Sequence, residues 1–141
     1  MASERLRVAG GLLLLLACEG GFLPLRGKID VGRDPMLVFV GGLAPAGDLY
    51  LLPATGGQPI PISFSAVAEM HPALAPDGGA VAFLRAGAIG DSVPASVWVM
   101  NLSSGGERRV ELPGDAGVPE QVGWAADGRS VVVRSGGRLY R

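Results

Sequence analysis

Enzyme chemistry needs nucleophiles, bases or metal ligands held together, and this sequence offers few. It has one histidine, His71, and one cysteine, Cys18. A Ser-His-Asp arrangement would need His71 beside a serine and an acid. His71 precedes Pro72, which places it in a turn, and there is no Gly-x-Ser-x-Gly elbow to present a serine. Two aspartates, Asp77 and Asp127, could act as paired carboxylates in acid–base or metal chemistry. Each is followed by glycine, Gly78 and Gly128, and an Asp-Gly pair supplies what a tight hairpin turn requires. They are read as structural turns. The run Asp30-Val31-Gly32-Arg33-Asp34 has a loose likeness to a calcium loop, but no glutamate follows at the required spacing. The glycine doublets lack the strand–loop–helix setting of a phosphate cradle. No catalytic residue, metal site or cofactor is therefore expected.

The elements that carry these residues recur. The stretch Pro72–Phe83 returns as Val122–Val133, with Asp127 placed 50 residues after Asp77. Gly56-Gly57 and Gly105-Gly106 lie 49 apart, and Tyr50, Trp98 and Tyr140 follow at intervals of 48 and 42. Self-similarity at this period marks stacked supersecondary units. Within each unit the pattern is strand, turn, strand, loop, strand, glycine turn, strand. Strands are expected at Met36–Val40, Leu49–Leu52, Ala80–Leu84, Ser96–Leu102, Glu107–Leu112, Gln121–Ala125, Ser130–Arg134 and from Arg138 onward. Another starts at Leu74, before the Asp77 turn. Pro59 and Pro61 demote Ile60–Phe64 to an edge or irregular strand, because proline cannot donate to a ladder. After residue 17 no helix of useful length is expected. Tyr50, Trp98, Trp124 and Tyr140 are read as packing between units, and Arg108-Arg109 as part of a solvated edge strand.

Composition agrees with an all-β body. The chain of 141 residues is 48% apolar and 18% charged, with 23 glycines and 11 prolines, which suits short strands joined by tight turns. The net charge of −1 carries no basic stripe, so a nucleic-acid partner is not expected. At the N-terminus, Arg5 and Arg7 precede the apolar run Val8–Ala17. A basic start and a short apolar stretch form a secretory signal. At about 10 residues, the run is too short to span a bilayer as a helix.

Two resemblances sharpen this reading. Leu15-Leu16-Ala17-Cys18 resembles the lipobox of bacterial lipoproteins. In that family the cysteine becomes the lipidated first residue of the mature protein. The resemblance implies a signal peptide over 1–17, lipidation of Cys18 and a tether over 18–35 with at most one short strand around Lys28–Val31. An ordinary signal peptide with a chance cysteine is the alternative. Over residues 36–141 the chain resembles the TolB-type β-propeller repeat, a relative of WD repeats. Pro72, Pro76-Asp77-Gly78, Phe83, Val97-Trp98-Val99-Met100-Asn101 and Gly105-Gly106 carry the likeness, and Trp124 and Asp127-Gly128 continue it. Leu74 and Ala75 depart from the family's aromatic and serine.

The implied fold is all-β, a partial β-propeller of about two and a half four-stranded blades. Closed propellers use four to eight blades. Three arrangements remain open: chains completing one another's ring as a homo-oligomer, a truncated gene, or a small open stack. The end of the chain in mid-strand at Arg141 favours truncation. The implied function is that of an exported, lipid-anchored, non-catalytic protein, periplasmic or attached to the outer membrane. Its partners would be cell-envelope proteins such as those of the Tol-Pal system. Propeller ligands meet the channel or rim loops, so the long loop Ala86–Pro94, with Asp91 and Ser92, is the candidate contact. The alternative is a fragment of a larger propeller-containing enzyme or sensor, for example a prolyl-oligopeptidase-type peptidase, inactive alone.

Overall fold

A computed structural model describes residues 22–42, 47–87 and 95–141. The described residues form ten β-strands and no helix. Strands β1 (Met36–Gly41), β2 (Asp48–Pro53) and β3 (Ile60–Pro61) make the first antiparallel sheet. Strands β4 (Glu69–Leu74), β5 (Ala80–Arg85), β6 (Ser96–Asn101) and β7 (Glu107–Val110) make a complete four-stranded second sheet. Strands β8 (Pro119–Trp124), β9 (Val131–Ser135) and β10 (Arg138–Tyr140) make the third. Every pairing joins neighbours in sequence, as in an up-and-down meander. The described residues are all-β, three propeller-type blades.

Register makes the repeat three-dimensional. Phe39 pairs with Tyr50, Phe83 with Trp98, and Val133 with Tyr140, so the three sheets superpose position by position. Among the described residues, the first sheet has no counterpart of β4 and the third none of β7.

Stacking creates two apolar layers. Leu49, Leu51, Ile60 and Ile62 of the first blade meet Val81, Phe83, Met100 and Leu102 of the second. On the other side, Ala82, Leu84, Val97 and Val99 meet Val122 and Val133 of the third. Strand β5 is therefore buried on both faces, which explains its unbroken run Ala80-Val81-Ala82-Phe83-Leu84. The central blade holds the molecule together because successive side chains on each strand feed opposite layers.

Two expectations are corrected. The strand expected to start at Leu74 instead ends there and begins at Glu69. His71 and Pro72, placed in a turn by sequence, sit inside β4 at a bulge between Met70 and Ala73. His71 takes φ 50° there, and the bulge on this edge strand spares Pro72 the need for an amide proton. Around Lys28–Val31, expected to hold at most one short strand, the chain runs through turns. Residues 22–35, expected as part of a tether, fold as turns that bury Leu25 and Ile29 in the first layer. Phe22 anchors this segment: its amide donates to Ser103 O at 2.7 Å and its ring lies over Gly105. A Cβ on Gly105 would fall 2.3 Å from that ring, so the turn after β6 needs glycine for this contact as well as for its φ of +72°.

Candidate functional site

The residues singled out for chemistry are spread over separate turns. Asp77 Oδ1 accepts the amide of Gly79 at 2.9 Å, and Asp127 Oδ1 accepts that of Arg129 at 2.9 Å. Gly78 and Gly128 sit at φ +69° and +65°, and their amides donate to Ala75 O and Ala125 O. Both aspartates thus close the same hairpin in different blades. The Arg129 amide first, and Arg141 as a nearby cation, hold the Asp127 carboxyl below its ordinary range despite some desolvation. In the Asp30–Asp34 turn, Asp34 Oδ2 accepts the Asp30 amide at 2.8 Å and Asp30 faces Arg33 at 3.5 Å. These carboxylates stabilise their own turn. Among the described residues, no group of three or more His, Cys, Asp or Glu could hold a metal ion. His71 is exposed. Cys18, Asp91 and Ser92 lie outside the described residues.

The densest polar cluster is one the sequence reading missed. Glu69, at the start of β4, is fully buried. Its Oε1 accepts from Arg85 Nε at 3.0 Å and also from Arg85 Nη2, while its Oε2 accepts from Ser63 Oγ. Ser63 Oγ in turn accepts the Leu49 amide of the first blade at 2.8 Å. Arg85 Nη1 reaches Glu107 on β7 at 2.9 Å. The guanidinium also lies 4.6 Å from the Trp98 ring centre and 5.1 Å from that of Phe83. Burial disfavours its charge, but hydrogen bonds to Glu107 and Glu69, reinforced by their negative charges, outweigh this and raise its pKa. Arg85 is committed to two carboxylates and two rings. This cluster ties the first blade to both edges of the second and leaves no group aimed at a substrate.

Why the sequence hid it follows from register. Glu69 pairs with Arg85, and the same step in the third blade pairs Pro119 with Ser135. The network is not repeated, so a reading built on repetition passes over it. The one available signal was a pair of opposite charges at the ends of two adjacent strands. At the corresponding point of the third blade, buried Ser135 Oγ lies within hydrogen-bonding reach of Ala116 O and, at 2.7 Å, Val118 O.

A surface groove opens between the second and third blades, with a volume of about 340 Å³. Val97, Val110, Leu112 and Val118 supply apolar walls, and Arg109 and Glu111 face each other across 3.5 Å at its rim. Ala95, where the chain re-emerges from residues 88–94, lines it too. Ala95 follows in sequence the loop Ala86–Pro94 that was expected as a contact.

Comparison with known proteins bears on the fold alone. No family model matches the chain, and no curated protein sequence matches it. Among solved structures, it is similar to the protein assigned as TolB in Agrobacterium tumefaciens, with a TM-score of 0.55 and 21% identity. That match covers 72% of this chain and 35% of the other. It is similar to the TolB of Acinetobacter baumannii at the same TM-score and identity, covering 76% of this chain and 29% of the other. The chain thus spans about a third of the length of these structures.

Proposed function

We propose that this is an exported, non-catalytic propeller-repeat protein, held on a membrane by lipid on Cys18, that serves protein–protein contact at the cell envelope. The observation that carries the reading is the pairing of a lipobox-like Leu15-Leu16-Ala17-Cys18 with a scaffold of TolB-like blades. The scattering of the candidate acids among separate turns supports a binding role over a reacting one. Two or more acyl chains would hold the protein stably, since one chain binds only marginally. The groove beside Ala95 is the surface offered to a partner.

The test is metabolic labelling with radioactive palmitate, followed by membrane fractionation. Label and membrane association are expected in the wild type and absent in Cys18→Ser. Equal labelling of the two overturns the anchor. The partial coverage of the solved structures favours a second reading, in which these blades work within a larger propeller protein. Propeller repeats or a hydrolase encoded downstream of Arg141 would decide for it.

A further inference from the structure

The hairpin turns of the blades share one end of the stack. Strands β2, β4, β6 and β8 run towards that end, and β1, β5, β7 and β9 run away from it. The turns at 75–79, 102–106 and 125–130 therefore lie together. The crossings between blades at 62–68 and 111–118 lie at the opposite end, and so does the groove beside Ala95. Blades stack through their sheet faces, so the position of the turn end does not depend on how many blades there are.

Residues 22–35 are packed on the turn end. Phe22 is bonded to Ser103 in the turn between β6 and β7. Leu25 and Ile29 are buried in the first layer. Gly32 lies against the turn between β4 and β5, where a Cβ on it would fall 3.3 Å from Asp77 O. The segment leaves other side chains open to the surroundings. Leu23 is 81% exposed, and Arg26 and Lys28 are exposed as well. The neighbouring carboxylates are engaged, Asp30 with Arg33 and Asp34 with the Asp30 amide. Among the described residues, Arg26 and Lys28 have no ion-pair partner. A bare leucine beside two uncommitted cations suits a lipid surface, the leucine in the acyl boundary and the cations on anionic headgroups.

Chain length fixes where such a surface would lie. Phe22 follows Cys18 by four residue steps, a reach of at most about 14 Å. A lipid on Cys18 keeps that residue at the headgroups, so Phe22 and the turn it is bonded to stay within that distance of them. We infer that the turn end of the blade stack lies on the membrane, with Leu23 in the acyl boundary and Arg26 and Lys28 on anionic headgroups. The inference rests on the lipid anchor proposed above and adds what the anchor alone does not give, an orientation. The groove beside Ala95 faces away from the bilayer, one strand length or about 20 Å above the headgroups.

The test uses the full-length protein, purified with its lipid and reconstituted into vesicles of phosphatidylethanolamine and phosphatidylglycerol that carry a nitroxide-labelled lipid. A bimane fluorophore is placed at Leu23→Cys or, at the opposite end, at Val118→Cys. Lipid occupies the Cys18 sulfur, so the introduced cysteine is the free thiol, and intact mass reports the lipid on each sample. Both positions are exposed, so the β circular dichroism signal should persist. Bimane at position 23 should lose most of its emission to the nitroxide, while bimane at position 118 keeps its own. Adding Arg26→Gln and Lys28→Gln should weaken the docking of this end about 30-fold, at roughly fivefold per cation, and so restore emission at position 23. Equal quenching at the two positions, or stronger quenching at 118, in protein that carries the lipid overturns the orientation and leaves the anchor standing. Protein without lipid on Cys18 overturns both. Quenching at 23 that is unchanged by the two glutamines overturns the role of the headgroup charge.

Discussion

Replacing Arg85 by methionine isolates the charge at the centre of the blade stack, because methionine keeps an unbranched apolar stem over Phe83 and Trp98. In the native protein the guanidinium gives Glu69 two hydrogen bonds and Glu107 one. Glu69 is fully buried, and after the substitution only Ser63 remains to satisfy its carboxylate. Removing one partner of a buried pair costs about 3–5 kcal/mol, mostly from the charge left behind. The partly exposed Glu107 contact adds about 0–1 kcal/mol. The ring contacts add about 0.5–2 kcal/mol. These contributions overlap, so the expected loss is about 4 kcal/mol, a large part of the roughly 5–15 kcal/mol available to a domain. At roughly 3–6 °C per kcal/mol, the melting temperature should fall by about 12–24 °C. Urea unfolding followed by tryptophan fluorescence is the assay, since Trp98 lies under the guanidinium. The double variant Glu69→Leu/Arg85→Met removes both charges and should regain most of the loss. The reasoning fails if Arg85→Met costs under about 1 kcal/mol, as an exposed pair would. It also fails if the double variant is no more stable than the single one.

Further predictions follow from the turns and the joint between blades. Trp124 Nε1 donates to Ala73 O at 2.9 Å across the second and third blades. Trp124→Phe should cost about 1–2 kcal/mol through the lost bond and reduced packing, read from the urea midpoint. Gly78→Ala and Gly128→Ala should each cost about 1–2 kcal/mol by forcing a Cβ into left-handed backbone, although the surrounding space is ordinary. Thermal melts that leave either variant unchanged would contradict the turn assignment. The depressed pKa of Asp127 adds stability that is present above the unfolded carboxyl value, about 3.9. It is lost as pH falls through the lower folded value. Asp127→Asn should therefore flatten the stability profile in that acid window and leave its shape above about pH 5 unchanged, as urea midpoints across the range would show.

Much of the fold was legible because its determinants are local. An Asp-Gly pair closes a hairpin through the carboxylate's reach to an amide two residues on, and through glycine's tolerance of positive φ. Both turns can therefore be read from adjacent letters. Strand β5 was legible as an apolar run, and the repeat at Asp77 and Asp127 showed stacked units, expected as about two and a half blades where the described residues form one four-stranded and two three-stranded sheets. The short outer strand at Ile60 followed from its flanking prolines. The limits of β4 were not legible, because His71-Pro72 has the local signature of a break. Only pairing with β5 turns that break into a bulge.

The sequence by itself determined the all-β class, the stacking of repeated units and the residues that shape each turn, since these depend on sterics and hydrogen bonds within a few residues. Tertiary structure alone decided that Glu69 and Arg85, 16 residues apart, share a buried ion pair, and that Ser63 carries it to the neighbouring blade. It also decided that the segment with Leu25 and Ile29 closes the first layer, and which faces of the outer blades remain exposed. Those outcomes depend on register and on sheet-against-sheet packing. In such packing, a residue's partner is set by the stacking of strands rather than by its neighbours along the chain.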